Sequence, residues 1–242
     1  MTVVDSQGTV RYEERGPVAH ITFDRPAKLN AFNTVLYGEL TAAIRRAVDG
    51  PADVIVLSGA GRAFSTGGDL AEVRELVDSG AGLKAFFDKL PFAELYECPK
   101  TTVASVRGPC LAGGIEIALL CDLVIAAQGA TFGFSQARIG LADTTAPHLL
   151  HSRVPLPQAQ YLLYTGRTVS AAEAAAMGMV TVVVPDDELE RRTDEIVAEV
   201  RAVPASVRRE YKTLIRGLTP FPPHRSIPVP ETLDLLREFF NR

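Results

Sequence analysis

Residues 108–116 read Gly108-Pro109-Cys110-Leu111-Ala112-Gly113-Gly114-Ile115-Glu116. They follow a strand-like run, Thr101–Val106, and lead into an apolar run, Ile117–Leu120. Glycine adopts backbone angles that other residues avoid and lets another group come close. Gly113-Gly114 therefore predicts a helix that opens on bare N–H groups, where the helix dipole favours negative charge. The earlier stretch Ala63-Phe64-Ser65-Thr66-Gly67-Gly68-Asp69-Leu70 has the same design. It follows the apolar run Val54–Ser58 and enters a helix that Asp69 can cap. Two such loops on neighbouring strands could each give one N–H to a single oxygen gaining charge. Tight strand-to-helix turns without any ligand would leave the same glycines, so spacing alone keeps both readings open. Glu116 falls about one turn into the helix. A carboxyl in a partly apolar pocket is held protonated more strongly, which suits acid/base work. A carboxylate that only stabilises the helix N-terminus is the alternative.

The rest of the chain alternates between strand and helix patterns. Val10–Glu14 and Val18–Phe23 flank Arg15-Gly16-Pro17 and predict a hairpin. Pro26 ends the second strand, because proline lacks a ladder donor. Leu36, Leu40, Ala43, Ile44 and Ala47 repeat at helical spacing after a cap at Asn33 or Thr34. Val54–Ser58 is apolar throughout, as expected of a strand buried on both faces. Asp122–Ala127 is again strand-like. This alternation predicts parallel pairing with right-handed crossovers. Helices are expected over Ala171–Met177, Glu188–Ala202, Ser206–Ile215 and Glu231–Phe240, the last after a Pro-rich connection, Pro220–Pro230. The expected division is a β/α core over residues 1–165 and a helical region over 166–242.

With 242 residues the chain can bury a substantial core. Charged residues make up 22% and the hydrophobic set 47%, as in ordinary globular enzymes. The formal net charge of −4 comes without a basic patch, which argues against a nucleic-acid partner. Cys98, Cys110 and Cys121 lack CxxC or metal spacing and predict free buried thiols in a reducing compartment. No metal site is expected. Met1–Gly8 does not resemble a secretory leader, and no apolar run has the ~18 residues of a membrane span. A cytoplasmic, soluble protein is the expectation.

Four stretches, in order, resemble the crotonase family, the enoyl-CoA hydratase/isomerase superfamily. Asp24-Arg25-Pro26-Ala27-Lys28-Leu29-Asn30-Ala31 resembles its NRPxKxNA segment, and Gly61–Leu70 its GxAFCAGxDL loop. Val106–Asp122 resembles VNGxAxGGGxELAxxCD. Thr165-Gly166-Arg167, Ser170–Ala174 and Gly178-Met179-Val180 resemble TGRxxxAxEAxxxGLV. The resemblance implies an α/β fold, a crotonase-like spiral of repeated ββα units, with a helical C-terminal region that forms trimers, often paired into hexamers. It implies a thioester carbonyl held between the N–H groups of Gly68 and Gly113, with Glu116 at the first of two catalytic carboxylates. No cofactor does the chemistry in this family. CoA enters as part of the substrate, its adenine near the Gly61–Gly68 loop, where Ala63, Phe64, Thr66 and Gly67 are the candidate contacts. Lys28 could reach a phosphate or simply be solvated.

The pattern also breaks. Where hydratases of the family carry a second glutamate, this chain has Gln136, which exchanges no proton near neutral pH. The usual Gly-rich PGxGGT is replaced by Leu141-Ala142-Asp143-Thr144-Thr145-Ala146-Pro147-His148. Asp143 is a candidate substitute acid or a helix N-cap. His148 and His151 would share a helix face, as catalytic or surface groups. Ser135 and Thr66 are small polar groups with no evident base to activate them. The ending, and the unusual Phe221-Pro222-Pro223-His224, would fit a more open site or a substrate on an acyl-carrier protein. Three functions stay open: a hydratase or isomerase of acyl thioesters, with a single carboxylate favouring isomerisation over hydration, a decarboxylase of malonyl- or glutaconyl-type thioesters, and a weakly active support subunit of a biosynthetic complex.

Overall fold

The computed structural model describes residues 4–5, 8–79, 90–139, 143, 145–218, 234 and 237–241. Leu141, Ala142, Thr144 and the 220–230 connection lie outside them, as does most of the helix expected over 231–240, of which 234 and 237–240 are helical.

Seven strands form the main sheet in the order β1-β2-β3-β4-β5-β7-β10. They are β1 (Val4–Asp5), β2 (Val10–Arg15), β3 (Val18–Phe23), β4 (Val54–Gly59), β5 (Thr101–Val106), β7 (Leu123–Ala127) and β10 (Val182–Val184). The expected hairpin is β2–β3, closed by the pair Arg15 and Val18. From β3 through β10 every pairing is parallel. A second sheet joins β6 (Pro109–Leu111), β8 (Thr131–Gly133) and β9 (Thr168–Ser170). The repeat is visible in β5 and β6, which run into helix α4 (Gly113–Leu120). Residues 168–184 thus give one strand to each sheet, and the chain from Leu189 to Leu218 is helical apart from a short break near Val203.

Both faces of the main sheet are covered, which explains why β4 is apolar throughout. Ile55 and Leu57 join the larger core with α1 (Thr34–Asp49), whose buried face is Leu36, Tyr37, Leu40, Ala43, Ile44 and Ala47. Val54 and Val56 face the other way, toward Leu189, Ile196 and Val197 of α8 (Leu189–Ala202). Asn33 caps α1 by accepting from the Leu36 N–H at 2.9 Å. Ser170 and Glu173 form a capping box on α7 (Ala171–Met177). The three cysteines are free and buried. Burial pushes the Cys121 thiol up to about 12.

One buried polar latch fixes the loop after β4. Asn30 is fully buried and has positive φ. Its amide donates to the carbonyls of Ala60 (2.9 Å) and Ala63 (2.7 Å), and its side-chain oxygen accepts from the Arg25 N–H at 2.9 Å. Asn30→Ala strands these groups in a dry interior, at about 1–3 kcal/mol for each one left unsatisfied. A urea unfolding midpoint should fall accordingly. An unchanged midpoint would mean that the latch is not needed.

Candidate active site

Three glycines let the loops before α2 (Leu70–Ser79) and α4 touch. Ser65 pairs with Cys110, its N–H donating to the Pro109 carbonyl and its own carbonyl accepting from the Leu111 N–H. A Cβ on Gly114 would stand 2.6 Å from the Ser65 carbonyl. A Cβ on Gly67, whose φ is +86°, would stand 2.9 Å from the Gly113 nitrogen. The loops expected to share one oxygen are therefore in contact. Among the described residues, neither the Gly68 nor the Gly113 N–H donates to an acceptor. Ala112, just before Gly113, holds φ +49° and ψ −125°. This is a costly conformation for a residue with a side chain, and such strain collects at functional sites.

The open side of Gly113 faces a defined set of groups. A Cβ there would lie 3.3 Å from the Tyr37 hydroxyl, 3.5 Å from the Phe32 ring and 3.7 Å from a Glu116 carboxyl oxygen. Glu116 is 7% exposed. Burial first, then the charge of Asp143 and hydrogen bonding to it, hold the Glu116 carboxyl well above the usual carboxylate range. Asp143 is itself surrounded by donors. The N–H groups of Thr145 (2.9 Å) and Ala146 (2.8 Å), at the start of α5 (Ala146–His151), point to Oδ1. Gln136 Nε2 donates to Oδ2 at 2.6 Å. Both oxygens of Asp143 are thus engaged as acceptors. Tyr37 is buried, and burial followed by the charges of Glu116 and Asp143 pushes its phenol well above its ordinary range.

The structure brings together Gly67, Gly68, Gly113, Glu116, Gln136 and Asp143. Tyr37 was not foreseen; its place on the apolar face of α1 reads as core. Asp143 accepts from the N–H groups at the start of α5, as a cap would, and also faces Glu116. Ala63 and Phe64 are buried, with Phe64 edge-on to Phe23 at 5.2 Å, so the Phe64 side chain belongs to the core. Thr66 is half-buried and its N–H donates to the Leu29 carbonyl. Lys28 is exposed on a short 3-10 turn. Arg25, beside it, pairs with Asp69 at 3.0 Å and ties that turn to the start of α2. His148 and His151 line a different cavity of about 420 Å³, with Asp122, Arg153 and Lys212; its lining includes neither Glu116 nor Asp143. Among the described residues no cluster of three His, Cys, Asp or Glu could hold a metal ion, and no helix is long and apolar enough to cross a membrane.

The raised Glu116 carboxyl links stability to pH. Between the unfolded and the folded pKa, the folded chain holds a proton that the unfolded chain has lost. The stabilisation is complete below the unfolded value and is lost as pH rises through the folded one. Glu116→Gln removes this dependence, so the variant should gain stability relative to the wild type as the pH rises from 5 to 8. Parallel urea curves at the two pH values check this. An equal difference at both would mean that Glu116 is ionised throughout.

A layered α/β fold of repeated ββα turns, with glycine loops meeting beside a buried glutamate that faces a half-buried aspartate, defines the class. The chain belongs to the enoyl-CoA hydratase/isomerase family, whose model matches residues 13–223. It is 39% identical over 187 residues to a "Probable enoyl-CoA hydratase" of Rhodobacter capsulatus, covering 76% of this chain and 72% of that protein. It is 33% identical over 218 residues to 4-chlorobenzoyl coenzyme A dehalogenase-2 of an Arthrobacter species, covering 88% and 79%. The structure of an enoyl-CoA hydratase/isomerase from Xanthobacter autotrophicus Py2 superimposes with a TM-score of 0.75 at 32% identity, covering 96% of this chain and 85% of that one.

Proposed function

We propose that this enzyme acts on acyl-CoA thioesters through an enolate-like anion. The N–H groups of Gly68 and Gly113 hold the thioester oxygen, and the Glu116–Asp143 pair moves the proton. The observation that carries this is the buried Glu116, its carboxyl oxygen 3.7 Å from where a Gly113 Cβ would stand, one turn beyond a bare Gly113 N–H. Such preorganised donors stabilise a developing charge in a site that excludes water. The reaction favoured is hydration of a 2-enoyl thioester and its reverse. Glu116 gives its proton to the α carbon as the water oxygen bonds to the β carbon, and the proton lost by the water returns to the pair. A neutral Gln136 is then no obstacle, because Asp143 supplies the second carboxyl. CoA arrives with the substrate, and no resident cofactor takes part.

The same proton supports a second reading. If CO₂ leaves a malonyl- or glutaconyl-type thioester, Glu116 can protonate the enolate left behind. Isomerisation begins by removing a proton and fits a protonated resting Glu116 less well. Acyl-carrier thioesters remain alternative substrates, and the complete acid pair argues against a pure support role. A homotrimer or hexamer in the cytoplasm suits the exposed apolar residues of α9 (Ala205–Leu218), among them Tyr211, Leu214 and Leu218.

The test is a panel of crotonyl, 3-enoyl, methylmalonyl and glutaconyl CoA esters followed by mass spectrometry. Gain of water on crotonyl-CoA supports hydration, and loss of CO₂ moves the reaction to decarboxylation. Silence across the panel, with CoA and carrier-protein esters alike, would overturn the proposal.

A further inference from the structure

The cavity of about 420 Å³ beyond α4 carries an imbalance of charge. Arg153, Lys212 and Arg216 line it, and among the described residues the carboxylate beside them in its wall is Asp122. That carboxylate is already engaged. Its Oδ2 takes the Lys212 ammonium at 2.7 Å, together with the Thr102 N–H (2.7 Å) and hydroxyl (3.0 Å). Lys212 is buried and also donates to the Lys100 carbonyl at 2.7 Å, so this pair closes on itself. Two guanidiniums remain. Among the described residues, neither Arg153 nor Arg216 forms an ion pair with a carboxylate; each donates to a backbone carbonyl, Arg153 to Cys121 and Arg216 to Cys98. A guanidinium has five N–H donors in a planar fork that matches a carboxylate or a phosphate. Among the described residues, Gln136 Oε1 is the buried polar side-chain atom left without a partner. The spare arginine donors are therefore not sealed in, and both side chains line the cavity. Burial pushes the Arg153 guanidinium below its ordinary range, a penalty that an anion beside it would relieve.

Leu119, Leu120, Leu149 and Ile215 give the same cavity an apolar wall. Apolar surface with a few convergent polar groups is the usual make of a small-ligand site. Leu119 and Leu120 end α4, and Gly113 begins it. Eight residues of helix set the two ends about 12 Å apart, so the cavity is separate from the proposed thioester site. We infer that this cavity binds a small amphipathic anion, a carboxylate or phosphate group on a short apolar body, with Arg153 and Arg216 holding the anionic head.

The experiment is calorimetric titration of the full chain with hexanoate and with hexyl phosphate, butyryl-CoA being present throughout to fill the thioester site. At least one of the two should bind at one site per chain, and the tighter one tells a carboxylate ligand from a phosphate. Arg216→Gln should weaken that binding roughly tenfold or more, as the loss of a charge-assisted hydrogen bond does. Leu218→Asp should weaken it too. This variant sets a negative charge at the cavity rim, on a residue 81% exposed, where the fold is not at stake. Hexanol and inorganic phosphate each lack one half of the ligand and should bind at least about tenfold more weakly. No saturable binding of either hexyl compound would overturn the inference and leave the arginines as props for the carbonyls of Cys98 and Cys121. Binding that both variants leave unchanged would overturn it as well. Inorganic phosphate or hexanol binding as tightly as the hexyl anions would overturn the amphipathic class of ligand. The two variants report on this cavity even if butyryl-CoA does not bind, so failure of the acyl-CoA reading stays distinguishable.

Discussion

Glu116→Gln will lower kcat/KM on the preferred thioester by about 10²–10⁴-fold while leaving the fold intact at pH 5. The two halves of this expectation have one cause. In the resting site burial and the neighbouring Asp143 hold the Glu116 carboxyl well above the usual carboxylate range, which favours its neutral form. A glutamine is also neutral, has the same length, and can donate its amide N–H to Asp143, so packing and hydrogen bonding persist. What it cannot do is hand over a proton. The loss therefore falls on the chemical step, and the measurement is kcat/KM beside a urea midpoint at pH 5. A variant that keeps a tenth or more of the activity would show that the proton comes from elsewhere.

Gly67→Ala will cost about 10²–10³-fold in kcat, because it parts the two loops that present the proposed anion donors. Its added Cβ would meet the Ala112 Cβ at 2.6 Å, the Gly113 nitrogen at 2.9 Å and the Leu111 carbonyl at 3.0 Å. The backbone atoms among these cannot swing aside as a side chain would. The residue also sits at φ +86°, a left-handed conformation that disfavours any side chain. Stability should fall by roughly 1–3 kcal/mol from the overpacking. The informative readout is the division between kcat and KM. Donors that act on the developing anion should show in kcat; a loss confined to KM would mean that they only help to bind the ground state.

Much of this was legible in the sequence because it is written in local patterns. The glycines at 67, 68, 113 and 114 mark close backbone approach, and the apolar run of β4 marks a strand covered on both faces. The cap at Asn33 depends on residues only a few positions apart. What was hidden depends on chain segments meeting in space. Asn30 and Arg25 look like turn residues until the loop at 60–69 folds onto them. Tyr37 has the spacing of a core residue, and only the bare face of Gly113 shows that its hydroxyl borders the site. Gln136 reads as a missing glutamate. Its actual partner is Asp143, which the sequence offered as a helix cap or as an acid without showing that one side chain caps the start of α5 and also faces Glu116. His148 and His151 illustrate the converse: chemically suggestive residues on one helix face that line a separate cavity.

The central claim is that Glu116 holds a proton at neutral pH because it is buried beside Asp143. Difference infrared spectroscopy of the wild type against Glu116→Gln at pH 7 tests it most directly. The account predicts a protonated-carboxyl C=O band in the wild type that is missing from the variant and fades as the pH is raised. A difference spectrum showing only carboxylate bands at pH 7 would contradict it, and Glu116 would then enter the reaction as a base.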